Sequence, residues 1–523
     1  MVGSVKFISD TKVYEKVRLG FVDGGQIVKV KTLTRGAGIL LPISSLPSAY
    51  GIGTFGHAAF KFVDLLADLK QKYWQILPMG PLTVGDSPFQ SISLFAGNPY
   101  YIDLEDLIED GLLLREEVDA HQWGASGECI DYAVLYENRY TVLQSAYERF
   151  DCRNEQYIAF CDASKIWLED YSLYMALKYH FDGKAWYEWD RPLRDRSKET
   201  LAQYRDKLSK QILFWKFCQY EFYRQWEILR EYAKKKGVQM IGDLPFYVAY
   251  DSVDVWTHRN LFLLDAQGRM KRVAACPPDD FSKEGQIWGN PVYDWDAMEA
   301  DGYSWWKLRI RQQAAMFDII KVDYFLGVVK YFSIETGKTD IRDGRWSKGP
   351  GRKLAEVIEK AAGDKKIIAE NMGTVLPGVN KLIRKMGWPD IKVLLFAFDG
   401  KPDNEYLPHN YVDSNTVLYA GTHDNDTIVG YYRDCTDYEL AYMYSYLNID
   451  GKEQISDAMI RAAYSSIADV VILQMQDILQ LGSEARMNRP STIGSNWKWR
   501  FSDELLPEER RNWIRTQTAL YRR

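Results

Sequence analysis

The stretch DIIKVDYF, residues 318–325, is a short apolar run that closes on one carboxylate, Asp323. Two others behave alike: KKIIAEN, 365–371, reaches Glu370, and TVLYAGTHDND, 416–426, runs on to Asp424. Bounded, continuously apolar runs match strands buried on both faces of a parallel sheet. An acid just past such a strand sits at the sheet's edge, where a substrate can reach it. Further runs recur around these three: GILLPIS at 38–44, YWQILPM at 73–79, VQMIGDLPFYV at 238–248 and IKVLLFAF at 391–398. A fainter eighth falls near DILQLGS, 477–483. Helical segments at 221–237 and 351–366 lead into two of the strands. Each carries lysines near its end and a glycine at the stop. This alternation predicts an α/β fold, a (β/α)8 TIM barrel with its site at the C-terminal ends of the strands.

The spacing is uneven. The gaps after the second and third strands are too long for simple crossovers. Residues 105–235 read as a large helical insertion subdomain. Residues 249–316, rich in Pro, Gly, Trp and Asp, read as an irregular active-site wall. Residues 1–34 stand apart as an N-terminal β-hairpin extension turning at Asp23-Gly24-Gly25, ahead of a catalytic barrel over 35–523.

Composition narrows the function. A formal net charge of −6, with no basic cluster interleaved with aromatics, argues against nucleic acid. No apolar run approaches the roughly 18–20 residues of a membrane span. The N-terminus also lacks the basic start and apolar core of a signal peptide, so a cytoplasmic protein is expected. Six cysteines without paired spacing suggest thiols rather than a disulfide framework or zinc site. No metal and no cofactor are implied. The 17 Trp and 35 Tyr suit core packing and equally suit stacking on sugar rings.

Three converging acids, in a chain with only six histidines, fit cleavage or transfer of a sugar. Retention at the sugar carbon needs a carboxylate nucleophile and an acid on the opposite side. A third carboxylate can bind hydroxyls and raise its neighbour's pKa.

Longer segments carry the reading further: ISSLPSAYGIGTFG (43–56), WQILPMGPLTVGDSPFQSISLFAGNPY (74–100), GDLPFYVAYDSVDVW (242–256), PPDDFSKEGQIWGNPVYDW (277–295), YLPHNY (406–411), GTHDNDT (421–427) and LGSEARMNRP (481–490). Through them the chain, from about Gly38 onward, resembles the 4-α-glucanotransferases called amylomaltases or disproportionating enzymes, relatives of the α-amylases. The resemblance implies a retaining double displacement on maltooligosaccharides and α-1,4-glucans. Asp323 would be the nucleophile that forms a glucosyl-aspartate, Glu370 the acid/base and Asp424 the transition-state stabiliser. It assigns glucan contacts to His423 and to Asp279, Phe281, Gln286, Trp288 and Asn290 of the 277–291 loop. Lys321, Tyr324, Tyr50, Asp399 and Asn488 join them, while Asp243 reads as structural at the barrel rim. The oligomeric state stays open.

The departures from the family pattern cluster at the catalytic centre. Lys321 stands where an arginine is usual, Tyr324 for histidine, Asn371 for aspartate, Pro42 for histidine, and Ala275-Cys276 for Gly-Val. Lysine offers a point charge in place of a planar fork. Losing an acid at 371 is expected to lower the pKa of Glu370. The alternatives are an α-glucan hydrolase of amylase type and a catalytically weakened glucan-binding paralogue.

Overall fold

The structure, a computed structural model, describes residues 19–20, 28–29 and 31–523 apart from 84, 125, 280, 281 and 373–375. Eight strands build its centre: β1 Gly36–Leu40, β2 Tyr73–Gln75, β3 Gln239–Leu244, β4 Ile319–Val322, β5 Lys366–Ala369, β6 Asp390–Val393, β7 Thr416–Tyr419 and β8 Val470–Gln474. Their order is β5-β4-β3-β2-β1-β8-β7-β6, every neighbouring pair parallel. β5 and β6 lie side by side, with no ladder between them among the described residues. This is the (β/α)8 barrel. The strands are short and almost wholly buried, which is why they read as unbroken apolar runs rather than alternating ones.

The helix before β3, Ser209–Lys235, stops where expected: Gly237 takes a left-handed φ of +78°. The helix before β5, Arg352–Ala362, ends at Gly363. Between β2 and β3 the chain is mostly helical, with Tyr132–Arg149 and Glu155–His180 the longest elements before Ser209–Lys235. The eighth strand corrects the sequence reading. It is the VVILQ run at 470–474, whereas DILQLGS holds the end of a short helix, Met475–Ile478, and the turn after it. Two apolar runs stand in tandem there, and the periodicity of so short a run does not separate strand from helix.

The wall expected to be irregular is partly a sheet. Arg272–Cys276 and Gln286–Pro291 pair antiparallel, and Lys330–Glu335 and Arg345–Lys348 extend them into four strands. The last two come from beyond β4, so no local turn signal announces the pairing. Near the N-terminus, Leu19–Gly20 pairs antiparallel with Val28–Lys29. The Asp23-Gly24-Gly25 turn lies outside the described residues. No helix among the described residues is long and apolar enough to cross a membrane.

Gly242 lets β3 close onto its neighbours, because a Cβ there would lie 2.2 Å from the Phe317 ring. Gly242→Ala is expected to cost roughly 1–3 kcal/mol in a denaturant melt, the range for overpacking. An unchanged midpoint would show that the ring can move aside.

Candidate active site

Strand register places the first two acids. Val322 is level with Leu244 on one side and with Ala369 on the other. The ladder continues one residue further: Asp323 N–H donates to Leu244 O (3.0 Å) and Glu370 N–H to Val322 O (3.0 Å). Asp323 and Glu370 therefore stand on adjacent strands, about 4.7–4.9 Å apart. Side chains two apart share a face, so Lys321 lies on the same face as Asp323 and one layer below it. Asp424 is reached differently, from a loop beyond β7. There Asn425 Oδ1 accepts from Thr422 N–H and Oγ1–H at 2.9 and 3.0 Å.

The buried lysine organises the floor. Lys321 is 1% exposed and donates to both oxygens of Asp243, at 3.1 and 2.9 Å. Its Nζ also contacts Glu370 and lies 3.5 Å from Asp323 Oδ1. The two acids above it face each other from adjacent strand ends. Burial, and then the negative charge of Glu370, push the Asp323 pKa well above the carboxylate range against the pull of Lys321. Burial would raise Glu370 as well, but the charge and hydrogen bond of Lys321 outweigh it and the net shift is downward. The two shifts run in opposite directions: Asp323 is pushed toward its protonated form and Glu370 toward its ionised form.

All three acids open onto one cleft of about 390 Å³. His423, Asp279, Gln286, Trp288, Asn290, Tyr324 and Asn488 line it too. His423 stacks on Phe89 (4.9 Å between centroids, 17° between planes) and places Nε2 3.5 Å from Asp424 Oδ1. Asn488 donates to that same oxygen at 2.6 Å. Trp288 meets Tyr324 edge to face at 4.7 Å. Tyr324 is left-handed, with φ +46°, a conformation costing a bulky side chain about 1–3 kcal/mol. Asn290 lines the cleft but commits its amide to Gln90 and to Val248 O.

Several expected contacts fall elsewhere. Lys321 lies beneath the cleft and meets its lining only through the carboxylates of Asp323 and Glu370. Tyr50 donates to Glu105 and accepts from Arg115, away from the cleft. Asp399 pairs with Lys401 and is also outside it. Phe281 is outside the described residues. Asp243, read as a rim residue, is fully buried as the partner of Lys321. Asn371 donates to Asn380 and lies 3.4 Å from Asp390, and the downward shift of Glu370 comes chiefly from the charge and hydrogen bond of Lys321. Sequence reasoning missed Phe89, Gln90, Tyr247 and Trp497 in the lining. Apart from Trp497 they lie within the quoted motifs, but nothing in an apolar ring or a lone amide flags a site.

Two strand ends and the loop after β7 bring three acids to one cleft, above a buried cation, at the C-terminal face of a (β/α)8 barrel, the face where enzymes of this fold carry their sites. The family model described as 4-alpha-glucanotransferase matches residues 41–506, and the chain belongs to that family. It is 43% identical over 484 residues to a 4-alpha-glucanotransferase of Clostridium butyricum, covering 92% of this chain and 99% of that one. A Thermus thermophilus 4-alpha-glucanotransferase is 41% identical over 488 residues, 91% of this chain and 97% of the relative. Among solved structures, the amylomaltase of Streptococcus agalactiae in complex with acarbose superposes with a TM-score of 0.90 at 40% identity, over 94% of this chain and 99% of that chain.

Removing Lys321 would strand the charge of Asp243. Lys321→Met is expected to lose about 3–5 kcal/mol of stability, and adding Asp243→Asn should restore much of it. Equal stability of the single and double variants would show that the two do not act as a pair. A cation lowers the pKa of nearby acids, so in the folded Lys321→Met enzyme both limbs of the pH–rate profile should move to higher pH. Movement to lower pH would contradict the charge assignment.

Proposed function

We propose that Asp323, Glu370 and Asp424 transfer α-1,4-glucan segments between maltooligosaccharides by retaining double displacement. The observation that carries this is their convergence on one cleft in a chain of the 4-alpha-glucanotransferase family. A glucan inserted between Asp323 and Glu370 parts the two carboxyls and draws Glu370 off Lys321. Away from the cation, Glu370 takes the proton of Asp323 and gives it to the glycosidic oxygen, while Asp323, left with Lys321, becomes the carboxylate. An Asp323 oxygen bonds to the sugar C1 as the glycosidic bond breaks. Glu370, now a carboxylate, takes the proton of an acceptor 4-hydroxyl, whose oxygen attacks C1 and frees Asp323. Asp424, aimed by Asn488 and flanked by His423, binds ring hydroxyls and favours the oxocarbenium-like transition state.

Transfer over hydrolysis requires an acceptor to be held while water is kept away. The wall strand Gln286–Pro291, with Trp288 facing Tyr324, flanks the cleft where an acceptor would lie.

Maltotriose separates the readings. Transfer yields glucose together with longer oligosaccharides, hydrolysis yields only shorter products, and a binding paralogue yields none. Asp323→Ala should abolish turnover and spare oligosaccharide binding, and surviving turnover would remove Asp323 from the mechanism. Lys321→Arg with Tyr324→His is expected to raise the transfer rate. Unchanged or lower activity would mean that the site is built around lysine and tyrosine.

A further inference from the structure

We propose that Arg486 is a positioning residue that sets Asp424 in its working place by clamping the loop after β7 to the loop after β8. It rests on the reading of Asp424 as the stabilising acid. Arg486 does not line the cleft. From behind, its Nη2 donates to Asp424 O at 2.6 Å and its Nε to Asn488 O at 2.7 Å. Nη1 lies 3.6 Å from Asp426 Oδ2. One planar group thus grips the backbone of both residues whose side chains meet in the cleft, where Asn488 Nδ2 donates to Asp424 Oδ1 at 2.6 Å. A backbone rung, Asn488 N–H to His423 O (3.1 Å), completes the same joint.

The support behind the guanidinium is itself fixed. Asp426 accepts from Thr427 N–H (2.7 Å) and from Ser483 Oγ–H (2.9 Å), one partner from each loop. Gly430 leaves room for this pair, since a Cβ there would fall 2.3 Å from Asp426 Oδ1 and 2.4 Å from Ser483 Oγ. Two carbonyls and a carboxylate are met at once only by a rigid fork of donors; a lysine ammonium on a flexible stem serves as a point charge. Misplacing a group at the reacting centre by about 1 Å can cost on the order of 100-fold in rate.

The test is Arg486→Lys, assayed by maltotriose disproportionation per mole of folded enzyme. The proposal expects kcat to fall roughly 10–100-fold with KM little changed. In an Asn488→Ala background the same change should cost much less, because the joint it serves is already broken. Wild-type kcat in Arg486→Lys, or a full multiplicative loss in the double variant, would overturn the clamp. If Arg486→Lys does not accumulate as folded protein, Asp426→Asn replaces it, with a smaller fall in kcat expected and an unchanged kcat counting against the proposal. Asp424→Ala runs alongside: turnover there would sink the reading of Asp424 itself. An inactive Asp424→Ala beside a normal Arg486→Lys would sink only the clamp.

Discussion

One buried ammonium faces three carboxylates at the floor of this barrel, and the rest of the site depends on it. Lys321 neutralises Asp243, which is wholly withdrawn from water, and still reaches Asp323 and Glu370. Ionised together, the three acids would set three negative charges against one positive, and the mutual repulsion adds to burial in pushing the Asp323 pKa upward. The buried pair below therefore does more than hold the floor: the charge of Lys321 lowers the pKa of both acids above it.

A lysine performs this task differently from an arginine. A planar fork would fix the orientation of one carboxylate, whereas the ammonium radiates donors to several. Here two of its contacts go to Asp243 and others to Asp323 and Glu370. The shape of the site is correspondingly shared with outer elements. Tyr324 bends left-handed immediately after Asp323 and rests against Trp288, so the loop after β4 and the wall strand meet ring to ring. On the far side, Asp424 depends on a joint between two loops rather than on strand register.

Much of this was legible in the sequence because parallel-barrel strands are local and distinctive. Apolar runs ending in acids located β4, β5 and β7, and the Lys-Val-Asp spacing already places Lys321 on the face of Asp323. What escaped depends on distant partners. The wall's four-stranded sheet joins segments from either side of β4. The true β8 stands beside a second apolar run of the same length. Asp243 and Asn371 each carry a side chain whose partner no spacing rule supplies: Lys321 for one, Asn380 and Asp390 for the other. Tyr50 and Asp399 sit within or beside family motifs yet outside the cleft, because a motif records similarity and not where a side chain points.

The claim that Asp323 bears the glucosyl ester is open to direct observation. A Glu370→Gln enzyme given an α-maltosyl fluoride needs no acid for fluoride to leave, and it lacks the base that would activate an acceptor. Peptide mass mapping should then find one maltosyl adduct on the peptide containing Asp323, absent when Asp323→Ala is added. An adduct on any other residue would contradict the account, as would steady turnover of the fluoride by the Asp323→Ala variant.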